Sequence, residues 1–327
     1  MEQYRSSADR TLDLNRSRLG GNIFYLGLLL LLILTWAVSW PVIKVGVGEV
    51  PPIWFGVLRY AIATACVFAL VLMTGGLQVP PRQDWSLILV SGALQMAAYS
   101  ALTGIALVSL PPGRASVLAF STPIWVVPLA AWWLGERVPV RSAAGAVIGL
   151  IGVAAIASPS LVLQETTSLL AYACLMGASA AWALSIVYVR SHCFTASAFT
   201  LAPWQMLVST VLLLPIAIAA EGPPPAIGMT GAMSLAFVGP VSTGFAYWAV
   251  VEAGRHFRAS TMSMALLATP SLGILISAIT LGERIDGLLI AGVAMVALGI
   301  WLATVMGAKC EHAPRSRTEP ARSSVKP

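Results

Sequence analysis

Charged residues are scarce in this sequence: they fill 10% of its 327 positions, against roughly 25% in an ordinary soluble domain. Acidic residues are the scarcer sign, 13 against 19 Lys and Arg. With 58% hydrophobic residues and a mean hydropathy of +0.84, too little polar surface remains to cover a water-facing globule. Catalytic words are missing as well. There is no H-E-x-x-H, no Walker A loop and no G-x-S-x-G elbow, and His192, His256 and His312 all fall in loops or the tail. Metal hydrolysis and ATP hydrolysis therefore have no sequence support, and no metal or cofactor is expected. The four cysteines, Cys66, Cys174, Cys193 and Cys310, are scattered without a C-x-x-C, so neither a disulfide framework nor a zinc site is read from them. The net charge of +6 comes from tails and short loops, not from a basic face, which argues against a nucleic-acid partner.

What the sequence has in quantity is long apolar runs. A helix needs about 20 apolar residues to cross the hydrocarbon core, and ten such runs occur, near 22–43, 52–74, 86–109, 115–134, 142–159, 167–189, 197–219, 229–251, 260–281 and 287–306. Nine of the ten contain no Asp, Glu, Lys or Arg; the second holds Arg59. The connectors are short and rich in breakers, as in GGLQVPPRQD, LPPGR and EGPPPAIG. The first run is too long for a signal-peptide core, and the residues before it are too long and too acidic at their start for the usual basic leader, so it is expected to be retained. The expectation is an all-α membrane protein of ten transmembrane helices. A cytoplasmic tail over 1–21 precedes them, and a polar tail over 307–327, read as disordered, follows.

Two of these runs spell nearly the same words. STPIWVVPLAAWWLGER at 121–137 and ATPSLGILISAITLGER at 268–284 align without a gap at an offset of 147. Thr122 and Pro123 answer to Thr269 and Pro270, Gly135-Glu136-Arg137 to Gly282-Glu283-Arg284, and Gly145 and Gly152 to Gly292 and Gly299. A second pair of words, W-A-V-S and W-A-L-S, matches Trp36 to Trp182 and Ser39 to Ser185, and at an offset of 146 Arg59 answers to Gln205. Two five-span repeats, 22–159 and 160–306, account for these matches. Counting Lys and Arg with both termini in the cytoplasm gives fifteen inside and four outside, which sets the orientation. Five is odd, so the second repeat enters the membrane upside down. Inverted repeats of this kind are a common frame for alternating access.

The two-times-five arrangement, the Trp-and-small-residue signature of spans one and six, and the proline followed by a terminal G-E-R in spans four and nine together resemble the EamA-type drug/metabolite transporters. The resemblance covers roughly 22–306. It implies a multi-pass secondary transporter of the inner membrane, commonly an exporter of amino acids or other small metabolites, whose partners are a small-molecule substrate and the lipid bilayer. One departure stands in span one, where the family's usual W-G is Trp36-Ala37. The resemblance does not name a substrate, and direction of transport, energy coupling and the choice between monomer and homodimer stay open. Uptake is the alternative within transport; a membrane-embedded enzyme or receptor on the same fold is the alternative outside it.

Several residues are candidates for the substrate site. Arg59 lies about seven residues into span two, some ~10 Å deep at 1.5 Å per residue, and no span carries an acidic partner for it. Either its guanidinium faces a central cavity and offers a planar fork to a carboxylate or phosphate, or it snorkels to the outer headgroups. Gln95 and Tyr99 share one face of span three, and Gln205, Ser242 and Tyr247 add polar points in spans seven and eight. Each of these either meets the ligand or makes interhelical hydrogen bonds. Trp36 and Trp182 stand too far inside their spans for an interfacial belt and are expected to border the cavity, whereas Trp132, Trp133 and Trp301 fit the belt. Pro123 and Pro270 are expected to break the backbone ladder within their helices, as gating hinges or as static kinks. Gly145, Gly149 and Gly152 give one face of span five a surface for close helix approach.

Overall fold

The computed structural model describes residues 2–73, 78–136, 138–162, 166–192, 195–257, 262 and 265–304, with side chains from Ile23 on and excepting 159–166, 198–199 and 303–304. The expected C-terminal tail, together with Arg137, Cys193 and Cys310, lies outside these residues. Every regular element among them is helical.

Helix α1 (Glu2–Gly46) runs unbroken from the N-terminal segment into the first apolar run, whose membrane-compatible part is Ile23–Gly46. It is followed by α2 (Pro52–Met73), α3 (Trp85–Val90), a π-helical segment π1 (Ser91–Ala98), α4 (Tyr99–Ser109), α5 (Pro112–Ala119), α6 (Thr122–Leu134) and α7 (Val140–Val162). The second half repeats the order as α8 (Thr166–Ser191), α9 (Ala198–Glu221), α10 (Met229–Phe237), π2 (Val238–Phe245), α11 (Ala246–His256), α12 (Ala268–Leu281) and α13 (Gly287–Thr304). Among the described residues, eight helical stretches are long and apolar enough to cross a membrane, and Ala268–Leu281 and Gly287–Leu302 are shorter apolar helices. Large apolar side chains such as Leu72, Trp132, Ile216, Met233 and Ile279 point outward, as expected where lipid is the solvent.

The two G-E-R words are helix stops. Gly135 and Gly282 sit in the left-handed region, at φ 65° and 67°, where a side chain would strain the backbone. The amides of Glu136 and Glu283 then reach back to the carbonyls of Ala130 and Ser277, completing the same cap in both copies.

Packing between the halves is reciprocal. Helices α7 and α13 meet through glycine: a Cβ on Gly299 would stand 2.5 Å from the Gly145 carbonyl oxygen, and one on Gly152 would stand 2.8 Å from that of Gly292. Gly145 and Gly292 are repeat mates, as are Gly152 and Gly299, so each glycine faces the mate of the other. The glycine face of span five is thus consumed within the bundle. Each π segment likewise packs on the second span of the opposite half. A Cβ on Gly92 in π1 would meet the Gln205 carbonyl oxygen and Val208 of α9, and one on Gly239 in π2 would meet Ile62 of α2.

The turns between helices are closed by carboxylates acting far along the chain. Glu221, at the end of α9, accepts from the amides of Ile53 and Trp54 at the start of α2, both at 2.9 Å. Glu49 accepts from the Gly231 amide at 2.7 Å, and Asp84 from the Ala196 amide at 2.9 Å. Glu221 and Glu49 satisfy donors that a helix start leaves without an intrahelical partner, while Asp84 holds the chain just ahead of α9.

Candidate functional site

A cavity of about 320 Å³ lies between the halves, a size suited to a small metabolite. Its walls come from α1, α2, both π segments, α4, α8, α11 and the α5–α6 break. Of the residues singled out from sequence, Trp36, Arg59, Gln95, Tyr99, Pro123, Trp182, Ser242 and Tyr247 line it. Gln205 does not. It is buried beside the cavity, where its Oε1 accepts from the Tyr247 hydroxyl at 2.9 Å. Pro270 is also buried and outside the lining.

Arg59 is the one charged side chain in the described lining. Its Nε donates to the Thr243 hydroxyl at 2.7 Å, and that hydroxyl donates its own proton to the Val238 carbonyl at 2.8 Å. The Val238 carbonyl and Thr243 are five residues apart, the spacing of a π turn, so the segment itself aims the hydroxyl. With Nε committed, the two terminal nitrogens form the part of the fork that a carboxylate would take. The guanidinium also stands 5.5 Å from the centre of the Tyr60 ring.

The cavity also carries a wall of rings. Phe120 is its hub, 6.4 Å from Trp36, 6.4 Å from Trp40 and 6.2 Å from Trp182, and Trp182 meets Tyr99 edge-on at 5.0 Å. Trp36 is fixed by its indole nitrogen, which donates to the Ser242 carbonyl of π2 at 3.2 Å. The Ser242 hydroxyl is 1% exposed and has no hydrogen-bond partner among the described residues. A buried hydroxyl left without a partner beside a cavity is one a ligand would satisfy.

Phe120, Trp40 and Thr243 were not anticipated. Phe120 follows α5 at the point where the chain leaves the helix, and Ser121, whose hydroxyl donates back to the Leu118 carbonyl, holds the N-cap position of the next one. The signal was the proline three residues beyond Phe120: Pro123 lies in the first turn of α6 and does not kink a continuous helix, as a residue without an amide hydrogen is best accommodated there. Pro270 sits in the first turn of α12 in the same way. In both copies the ladder is interrupted before the proline, and the first break puts Phe120 and Thr122 on the cavity wall.

At the far end of α12, Glu283 accepts from the amides of Gly113 at 2.8 Å and Arg114 at 3.1 Å, closing the start of α5. The Arg114 side chain pairs with Asp286. Burial pushes the Glu283 carboxyl above its ordinary value, and the two amide donors and the Arg114 charge oppose that without overcoming it. By the repeat offset the partners of Glu136 would be near residue 260, outside the described residues.

An all-helical bundle with a part-polar cavity between two similar halves defines a membrane transport protein more readily than an enzyme. The family comparison agrees: residues 23–158 and 169–305 each match the EamA-like transporter family, and the chain belongs to that family. It is a multi-pass membrane transporter. It is 25% identical over 272 residues to the uncharacterized transporter YoaV of Bacillus subtilis, covering 83% of this chain and 93% of that one. It is 29% identical to a probable terminal-alkyne amino-acid exporter of Streptantibioticus cattleyicolor, over 84% of this chain and 91% of the relative. A probable amino-acid metabolite efflux pump of Escherichia coli matches at 24% over 84% and 93%. One solved structure, 20% identical, superposes with a TM-score of 0.59 across 87% of this chain and 97% of its own, a likeness of fold alone.

Proposed function

We propose that the protein exports small amphipathic metabolites that carry a carboxylate, of the amino-acid kind, by alternating access across an inner membrane. The observation that carries this reading is Arg59: a guanidinium on the cavity wall, its Nε held by Thr243 and no acid in the described lining to neutralise it. A headgroup-seeking arginine would have no use for that tether. The ring wall around Phe120 supplies the apolar half of an amphipathic site, and Gln95 and Ser242 its neutral polar points. Two relatives whose names specify amino-acid or amino-acid-metabolite export favour that direction and class.

The architecture behind the exchange is ten spans in two inverted five-helix repeats, with both termini in the cytoplasm. Support comes from the reciprocal glycine contacts of α7 and α13, since such mate-to-mate pairing arises when two copies are related by a two-fold axis. The fifteen-to-four charge asymmetry supports the orientation. Pro123 and Pro270 would serve as the flexible ends of α6 and α12 during the exchange, with no cofactor needed. The test is flux. Purified protein in liposomes, offered a panel of amino acids and related organic acids on one side, should move at least one of them with saturation, and Arg59→Gln should weaken apparent affinity for it. A panel that never crosses faster than in empty liposomes would overturn the reading.

A further inference from the structure

We infer that this cavity selects net-negative monocarboxylates with an apolar, preferably aromatic, body over zwitterionic amino acids of the same shape. The inference rests on the transporter reading above, keeps its carboxylate and its apolar body, and departs from it in excluding the ammonium of a free amino acid.

The reasoning begins with the charge inventory of the lining. Arg59 is its single charged group among the described residues, so the empty site carries one positive charge in surroundings that are otherwise apolar or neutral. A carboxylate entering it is compensated by the guanidinium's free fork. An α-ammonium on the same ligand is not. It would enter a low-dielectric space with no acid facing it, within a few bonds of a fixed like charge. Neutral acceptors and ring faces compensate an ammonium only in part. Thr243 has already committed its hydroxyl to Val238 and Arg59, and the Gln95 Oε1 is approached by Ser185 at 3.4 Å. The Ser242 hydroxyl lacks a partner, but one hydroxyl does not balance an ammonium.

The ring wall fixes the other half of the preference. Trp36, Trp40, Phe120, Trp182 and Tyr99 touch one another through tilted or edge contacts around Phe120, so what they present together is an extended apolar surface. An aryl or branched alkyl body packs there while its carboxylate reaches Arg59.

Three compounds of one skeleton separate the possibilities: 3-phenylpropanoate, L-phenylalanine and phenethylamine, titrated at neutral pH against the full-length protein in lipid nanodiscs. The anion should bind at least about tenfold more tightly than the zwitterion, as one uncompensated charge contact would give, and the amine should bind weakest. Gln95→Glu installs an acid in the lining and should reverse the order of anion and zwitterion. Arg59→Lys should keep the anion preference at lower affinity, and Arg59→Gln should abolish it. Phenylalanine binding as tightly as 3-phenylpropanoate would overturn the inference, and so would a preference that survives Arg59→Gln in a folded protein. Absence of binding by all three would overturn it too. The exporter reading is judged separately by liposome flux of the wider panel, so a zwitterion-preferring carrier would retain that reading and lose this inference.

Discussion

The two halves of the molecule are alike in shape and unlike in chemistry. Shape is matched to the residue: π1 and π2 begin and end at the same repeat offset of 147, Gly135 and Gly282 adopt the same left-handed turn, and Gly92 and Gly239 make equivalent close approaches. Polar side chains diverge at the same positions. Arg59 stands where the other half has Gln205, Gln95 where it has Ser242, and Thr243 where the first half has Met96. Even the matched turn locks exchange roles: Glu49 supplies the acceptor to the amide of Gly231, but in the mirrored contact the acid is Asp84 and the amides belong to Thr195 and Ala196. Backbone packing at a shared interface leaves little freedom, because an added carbon meets another backbone. A ligand with two different ends needs the opposite, one charged pole on a symmetric frame.

The comparison breaks outright if the halves share one orientation. In a cysteine-free background, Val138→Cys and Ile285→Cys should react from opposite sides of the membrane; modification of both by one impermeant reagent from one side would end the inverted-repeat proposal. The next effect in size concerns the shared shape. Gly299→Leu forces a side chain against the carbonyl of Gly145 and the Cα of Gly149, and should cost about 3 kcal/mol or more, seen as loss of monodisperse protein and a lower Tm. Gly254→Ala, in α11 with open space where the Cβ would go, is the control and should be neutral or stabilising.

Chemistry comes next. Arg59→Gln should weaken apparent affinity for a carboxylate substrate by roughly 10- to 150-fold, and Arg59→Lys by less, because lysine keeps the charge and loses the planar fork. Gln205→Arg, the same chemistry on the other half, should not restore it, since Gln205 is buried beside the cavity. The smallest effect belongs to the turn locks. Glu283→Ala leaves the Gly113 and Arg114 amides without their acceptor and should cost about 1 kcal/mol, with Glu283→Gln costing less. Because the folded-state value of Glu283 is raised, its contribution to stability is present below the ordinary value of 4.5 and is lost as pH rises through the raised one. Thermal unfolding of Glu283→Gln across mildly acidic pH should lose that slope.

Much of the frame was legible because lipid imposes a simple rule on sequence: apolar runs of sufficient length with breakers between them. The repeat was legible because proline and glycine hold the same backbone positions in both copies. The π segments were not, since hydropathy reports which face is apolar and says nothing of whether a carbonyl bonds four or five residues on. The locks by Glu49, Asp84, Glu221 and Glu283 were hidden for another reason. Their partners lie 111 to 182 residues away, and a carboxylate beside a helix end looks in sequence like a local cap. Phe120 was missed because one aromatic residue in an apolar run carries no signal until the chain breaks beside it.

The π segments also make the cavity sensitive to which backbone carbonyl each amide finds, as well as to composition. Each holds its helix one residue out of phase, so that the part before it and the part after it turn different faces to the same neighbour. Were ordinary α-helical bonding to run through Ser91–Ala98 at unchanged length, everything from Tyr99 to Ser109 would swing by about 100° around the axis. Tyr99 and Thr103 would leave the cavity together, with no side chain having been changed. At these two places the transporter sets its own register, and a switch between π and α bonding there acts as a rotation.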